Sequence, residues 1–540
     1  MTVWKRIAAA VAPVLLLAGC GSGAHDSAAG TTGGADRNAI ISVNGTEPQV
    51  PLVPMNTGEV GGDRILSAIL SGLVAYDESG KPVNEVAESI KPNADSTSFT
   101  VRLKDGWKFT DGTPVTSESF TKAWSYAANV TNAQLNSSYF SIIKGYDELQ
   151  KEGTPSDAQL SGLVVKDDRT FEINLNAPDS ALPSQLGSVS FLPVPEAFYK
   201  DPKAYGQNPI GNGPYKLESW KHDQGAKVVR NDEYKGNFPA KNGGIDFRFY
   251  TTLDSAYADV QSGNLDLLDQ IPATAYSSYQ NNKTVKVFKN AGSQTQGITI
   301  PERLEHFSGE EGILRRQAIS LSIDRDLIIR KLFYGTRVAA VDYSAPAITG
   351  YSDQLKNRTN LKYDPEKGKE LWAKADAISK WDGTLSIAYN ADSSDKQWIE
   401  AALHQLKDNL GVETQALSYP TKKELRTAAT DKTIKTPYQS GWQPDYPNVE
   451  NYLTLRFSST GGYNEYDYRN PELDKILAEG SAAPDTESAN AKYQEAEEIL
   501  LEELPQIPLW YSNITAVGSQ NMKSVAFTYN NYPMYTDLEK

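Results

Sequence analysis

The sequence predicts an α/β protein built of several lobes. Three observations predict it: short runs in which apolar and polar residues alternate, helical periodicities set between them, and a length beyond one core. About 500 residues follow the first twenty, more than a single hydrophobic core serves, so two or three lobes are expected. In chain order, the body starts at the alternation Ile40-Ile41-Ser42-Val43. Phe99-Val101-Leu103 and Phe171-Ile173-Leu175 alternate as half-buried strands do, and Ile245-Phe247-Phe249 repeats the pattern after two glycines. Residues 116–128 read as a helix capped by Thr116, with Phe120, Ala123, Trp124 and Ala127 on one face. Asp324 caps a helix carrying Leu327, Ile328, Lys331 and Leu332 and stopped by Gly335, and Asp364-Pro365 opens another. Strand 385–389, helix 396–409 and strand 412–417 make a β-α-β unit, the helix burying Ile399, Ala402, Leu403 and Leu406. A long polar helix over 485–503 ends at Pro505.

Before the body stands a leader. Lys5 and Arg6 precede an apolar stretch, Ile7 to Leu17, too short to span a bilayer, and the run Leu17-Ala18-Gly19-Cys20 closes it. Cys20 is the only cysteine of the chain. The tetrad resembles the bacterial lipobox, which implies a signal peptide over 1–19 and a lipid on Cys20 as the mature N-terminus. Residues 21–37 are rich in Gly, Ala and Ser and carry no large apolar side chain, so 20–37 are expected to be a lipidated cysteine and flexible tether, with a reach of roughly 20–25 Å.

Charge and composition exclude several functions. Removing residues 1–19 takes away two cations and no carboxylate, moving the net charge from −15 to −17. An acidic surface is repelled by phosphates and anionic headgroups, so no nucleic acid is expected as partner. With no other cysteine, thiolate sites and disulfides are excluded, and the four histidines (His25, His222, His306, His404) lack metal-ligand spacing. No metal or cofactor is expected. No GxSxG, P-loop or GxGxxG is present, so the chain is not expected to be an enzyme. The pairs Asp167-Asp168 and Glu310-Glu311 read as solvated surface, and Arg315-Arg316 as the start of a helix making surface ion pairs. Gly211-Asn212-Gly213-Pro214 reads as a turn whose glycines permit positive φ or close backbone approach. Tyrosine is plentiful, at 29, and in a secreted protein it either lines a cleft or fills large cores.

A series of segments then carries a resemblance. Ile69-Leu70-Ser71-Gly72-Leu73-Val74-Ala75-Tyr76-Asp77 is followed by SFTVRLKDGWKFTDGTPVTSESF (98–120), NPIGNGPYKLESW (208–220), SAYADVQSGNLDLL (255–268), RRQAISLSIDRDLI (315–328), YDPEKGKELW (363–372), GWQPDYPNVENYL (441–453), NPELDKILAEG (470–480) and LPQIPLWY (504–511). In content and order this resembles the peptide- and nickel-type (family 5) extracellular solute-binding proteins of ABC importers, the oligopeptide- and dipeptide-binding lipoproteins, from about residue 40 to 511.

The resemblance implies a periplasmic-binding-protein-like α/β fold (type II, cluster C) with two hinged lobes and an inserted domain. Lobe I would combine 38–58, 191–290 and 512–540; the inserted domain would be 59–190 and lobe II 291–511. It implies a monomer that captures extracellular peptides in an interlobe cleft, held at the outer face of the cell membrane by its N-terminal lipid. Delivery would be to the permease subunits and their ATPases. The same fold in relatives carries metal chelates, siderophores or oligosaccharides, and a surface hydrolase is the remaining alternative.

Asp445, three residues after Trp442, falls where peptide-binding members place the aspartate that receives the peptide's α-ammonium. By residue chemistry alone the same carboxylate suits a structural cap or ion pair, although no internal cation is evident. Trp442 would pack on the ligand backbone or in a lobe core. Tyr139, Glu59 and Val60 fall in segments that border the cleft, and Asp395 and Lys396 near the ligand's far end. Gln439 stands where oligopeptide binders can carry an arginine, so no arginine clamp for a peptide carboxylate is evident.

Overall fold

Two long strands organise the molecule. In the computed structural model, which describes residues 36–391, 393 and 395–540, Lys286–Thr299 and Gln506–Gly518 pair antiparallel along their length. They are the spine of an eleven-stranded mixed sheet. Outward from Gln506–Gly518 come Leu267–Leu268, Ile40–Gly45, Gly244–Phe249, Gly225–Arg230 and Tyr215–Lys221. Outward from Lys286–Thr299 come Tyr438–Trp442, Leu385–Asn390 and Thr414–Tyr419. The register of the spine breaks between Ala291, opposite Asn513, and Thr295, opposite Tyr511. Gly292 sits in this irregularity, where a Cβ would stand 2.4 Å from the Ser512 carbonyl oxygen, so only glycine lets the two backbones approach.

Separate apolar clusters lie on the two halves of this sheet. Ile41, Val43, Ile245, Phe247 and Ile514 pack with Met522, Phe527 and Leu538 from the C-terminal segment. Ile298, Ile319, Ile387, Leu403, Leu500 and Leu509 belong to the other large cluster. A third, with Phe99, Val101, Phe120, Trp124 and Phe171, covers a four-stranded antiparallel sheet of Ala87–Pro92, Ser98–Leu103, Thr170–Asn174 and Leu163–Asp167. Helix Val60–Ile69 gives Ile65, Leu66 and Ile69 to the first cluster, whereas Val194, Phe198 and Tyr205 join the third. At those two places the packing crosses the residue 59 and residue 190 boundaries expected from sequence.

Local signals produce the expected elements. Asp364 Oδ1 accepts from the Lys367 amide at 3.0 Å to open Pro365–Ile378, and Asp324 Oδ1 caps Leu327 at 2.8 Å. That second helix, Arg325–Ile328, widens into a π-helical turn, Ile329–Phe333, before Tyr334 and Gly335 stop it at φ 48° and 82°. Leu385–Asn390, Lys396–Leu410 and Thr414–Tyr419 form the β-α-β unit with parallel strands. Asp485 caps Thr486–Glu503 at the Ser488 amide.

Two surface readings are corrected, and one turn is narrowed to a single cause. Arg315 and Arg316 lie inside helix Gly309–Leu321 and are wholly buried. Arg315 pairs with Glu311 at 2.9 Å and Asp376 at 3.0 Å beneath Trp372 and Trp381, and Arg316 donates to the Glu503 and Phe307 carbonyls. Glu311 is therefore no solvated carboxylate; it also meets His306 at 2.7 Å. Gly211 and Gly213 do not adopt positive φ; a Cβ there would lie 2.0 Å from Ile69 O and 2.7 Å from Ile69 C, so close approach is what demands glycine. Asn212 between them bonds both the amide and the carbonyl of Ser71.

Candidate functional site

One wall of the candidate site starts at helix Val60–Ile69. Glu59 is its N-cap, accepting from the Gly61 and Gly62 amides at 2.7 and 2.8 Å, which suits a carboxylate at the positive end of a helix. Beside it, buried Asn136 donates to the Pro54 and Thr57 carbonyls and sets the short 3₁₀ turn Ser137–Phe140, which presents Tyr139. The opposite wall is the loop after strand Tyr438–Trp442. Buried Asn451 organises it: its Oδ1 accepts from Trp442 Nε1 and from the Asp445 amide, both at 3.0 Å. Tyr529, from the C-terminal segment, donates its hydroxyl to the Asp445 carbonyl at 3.0 Å.

Between these walls is a cavity of about 680 Å³. Glu59, Val60, Asp63, Tyr139, Gln294, Gln443, Pro444, Asp445 and the run Thr528–Thr536 line it. Tyr76, Tyr139, Tyr215, Tyr234, Tyr529, Tyr532 and Tyr535 are its tyrosines, while Tyr343, Tyr452, Tyr468 and Tyr493 fill the core around Leu500. Both uses of tyrosine thus occur in one chain.

The Asp445 carboxylate reaches the solvent of the cleft yet is enclosed by its walls. It receives only neutral donors, Asn451 Nδ2 at 3.4 Å and the Tyr139 hydroxyl, and no Lys or Arg among the described residues pairs with it. Loss of hydration raises its pKa, and the two neutral hydrogen bonds offset only part of that. The same burial, with the Asp445 charge adding to it, raises the pKa of the Tyr139 phenol, which keeps its proton to donate. A carboxylate so placed is chemically prepared for a cation brought in from outside.

Sequence reasoning brings Asp445, Tyr139, Glu59 and Val60 to one cavity, but the structure sorts them. Glu59 is spent on its helix. Trp442 is not on the cavity wall: its ring meets Tyr463 edge-on at 5.5 Å and lies under Arg456 at 5.3 Å. Its link to the cavity is the Asn451 oxygen it shares with Asp445. Gln439 donates to Asn390 at 2.6 Å and lies off the cavity as well. Asp395 accepts from Gln296 and Trp398, and Lys396 approaches Glu400 at 3.7 Å, so this pair ties elements together away from the cavity. Asp63 and the segment 528–536 were not anticipated. Asp63 sits in an apolar helical run, and the C-terminal segment reaches the cavity only through tertiary packing. No cluster of His, Cys, Asp and Glu fit to hold a metal ion is present among the described residues, and no helix there is long and apolar enough to cross a membrane.

Comparison with known proteins follows the same line. Residues 81–464 match the bacterial extracellular solute-binding proteins, family 5, middle region. The chain is 23% identical over 543 residues to the oligopeptide-binding protein OppA of Bacillus subtilis, covering 97% of this chain and 96% of that one. It is 27% identical over 528 residues to the periplasmic oligopeptide-binding protein OppA of Escherichia coli, covering 94% and 93%. Its fold is similar to the unliganded open form of the periplasmic murein tripeptide-binding protein MppA, at a TM-score of 0.82 and 22% identity, over 93% of this chain and 97% of the other. Fold and family define a solute-binding protein that works outside the cytoplasm. The chain belongs to the bacterial extracellular solute-binding proteins of family 5.

Proposed function

We propose that this protein captures peptides in the cavity between its walls and delivers them to the membrane permease of an ABC importer. The observation that carries the reading is Asp445: a carboxylate on a cavity wall, held by neutral donors and lacking a cation. A peptide's α-ammonium is the partner it needs, and main-chain hydrogen bonds along the cleft would accept many side chains. Trp442 acts behind it, holding Asn451 and through it the Asp445 loop. Tyr139 donates to the same carboxylate and closes the far side. The likeness to two oligopeptide-binding proteins over nearly their whole length supports the peptide as ligand class.

In this reading lobe I is 38–58, 191–290 and 512–540 together with helix Val60–Ile69, lobe II is 291–511, and the rest of 59–190 is the inserted domain. The lobes close on the ligand about the irregularity at Ala291–Thr295. Asp445→Ala is expected to weaken peptide binding by about 2–5 kcal/mol, the cost of losing one partner of an enclosed ion pair. Calorimetric titration checks this, and unchanged affinity contradicts it. Mass spectrometry of co-purifying ligand tests the class, and a sugar or siderophore mass contradicts the peptide.

Cys20 lies outside the described residues. Its sequence context supports a lipid anchor, and since one acyl chain binds membranes only marginally, the anchor needs more than one. Cys20→Ala is expected to leave affinity intact and release the protein from the membrane fraction on cell fractionation.

A further inference from the structure

The irregularity in the spine and the Asp445 loop are fastened to one another. Between Ala291, opposite Asn513, and Thr295, opposite Tyr511, one strand carries Gly292, Ser293 and Gln294 where its partner carries Ser512 alone. The apolar clusters change over at the same place. Phe288 and Ile514 pack with Ile41 and Phe247, whereas Ile298 and Tyr511 belong to the cluster around Leu500. Two strands that leave one core and enter another, with their ladder interrupted between, bend there at the least cost in paired backbone.

Ser293, in the middle of the irregularity, is wholly buried, and both its oxygens are taken up. Its carbonyl accepts from the Tyr452 hydroxyl, and its Oγ accepts from Gln443 Nε2 at 3.1 Å. Gln443 lines the cavity and stands two residues before Asp445, with Pro444 between them. The fixed φ of proline leaves this short link few ways to flex. From behind, Asn451 and Tyr452 are neighbours on helix Glu450–Phe457: Asn451 holds the Asp445 amide at 3.0 Å, and Tyr452 holds Ser293. The loop and the bend are therefore tied twice. One tie runs through the buried pair on the helix; the other runs through Gln443, whose side chain is open to the cavity.

We infer that Gln443 is a positioning residue that couples the ligand to closure: its bond to Ser293 makes the Asp445 loop and the bend in the spine move together, so that a ligand drawn onto Asp445 turns the lobes. This rests on the reading of Asp445 as the ligand's anchor and of the irregularity as the hinge. A ligand moves such an equilibrium only by holding one state better than the other. Without the Gln443 bond, the loop settles on the ligand while the spine keeps its shape, and less of the binding energy reaches the hinge. A single neutral hydrogen bond sets the scale, about two- to tenfold in the closure equilibrium.

The test reads binding and closure separately, by calorimetric titration and small-angle X-ray scattering of the full chain with a random tripeptide mixture. The parent is expected to bind and to contract at saturation. Gln443→Leu, or Gln443→Ala should the first variant fold poorly, is expected to bind about two- to tenfold more weakly. It is also expected to lose part of the contraction even at saturation, since a tenfold shift takes a population about nine-tenths closed to about half closed. Ser293→Ala is expected to match it, and the double variant to go little further, because both substitutions remove the same bond. Full contraction of a folded Gln443 variant at saturation overturns the coupling and leaves the peptide reading standing. So does a parent that binds peptide without contracting, and so do losses that add fully in the double variant. Binding of no peptide by folded parent overturns the peptide reading and this inference with it.

Discussion

The core around residues 298–511 and the cleft both take charge out of bulk water, yet they treat it in opposite ways. In the core, Arg325 gives its guanidinium to the carbonyls of Pro508, Ser320 and Leu361 and to the Ser320 hydroxyl, with no carboxylate in contact. Burial pulls its pKa down to about 9, and the carbonyl cage is what keeps the cation in place. Arg315 and Arg456 are held similarly, by carboxylates, hydroxyl and amide oxygens and aromatic faces. In the cleft, Asp63 and Asp445 have neutral hydrogen bonds and no ion pair among the described residues, Arg64 acting on Asp63 only from a distance while paired with Asp269. These buried arginines are surrounded by fixed partners, whereas the two cleft carboxylates are held by neutral donors alone.

That contrast can be broken by experiment. Arg315→Ala strands Glu311 and Asp376 and opens a hole beneath two tryptophans, so it is expected to cost about 3–5 kcal/mol in urea unfolding. A change near zero would remove the distinction from the core side. Asp63→Asn is expected to do the reverse. Burial raises the Asp63 pKa from 3.8 to about 6, so the folded state holds a proton that the unfolded chain has released across that window. The ionised carboxylate therefore costs stability in full above about pH 6, and the cost is lost as pH falls from about 6 to 3.8. The variant should be more stable than the parent at neutral pH by at most about 3 kcal/mol, less where cavity water screens the charge, and no more stable in acid. Thermal melts across that range check both sign and window. Asp445→Asn should stabilise in the same direction by a smaller amount, because its carboxylate reaches solvent.

Much of the fold was legible because its signals are local. Asp324, Asp364 and Thr116 mark helix starts by chemistry confined to one turn, and the 385–419 unit shows its periods within about thirty residues. The buried arginines were not legible. Arg315 and Arg316 look like surface charge until Asp376, Trp381 and Glu503 arrive from other helices and loops, and nothing in their own helix announces those partners. The site divides the same way. Asp445 stands out between two aromatics and a proline, whereas Asp63 hides in an apolar helix and meets Tyr532 only through the folded C-terminal segment. Trp442 was legible as part of the site but not in its position: it lies behind the wall, sharing Asn451 with the carboxylate it supports.

The central claim is that Asp445 meets the ligand's α-ammonium, and a double cycle tests it most directly. Affinities of a peptide and its N-acetylated form are measured by calorimetry on the parent protein and on Asp445→Ala. The account predicts that acetylation and the substitution each weaken binding by about 2–5 kcal/mol and that together they weaken it little further, because both remove the same interaction. Fully additive losses, or an acetylated peptide bound by the parent as tightly as the free one, would contradict it.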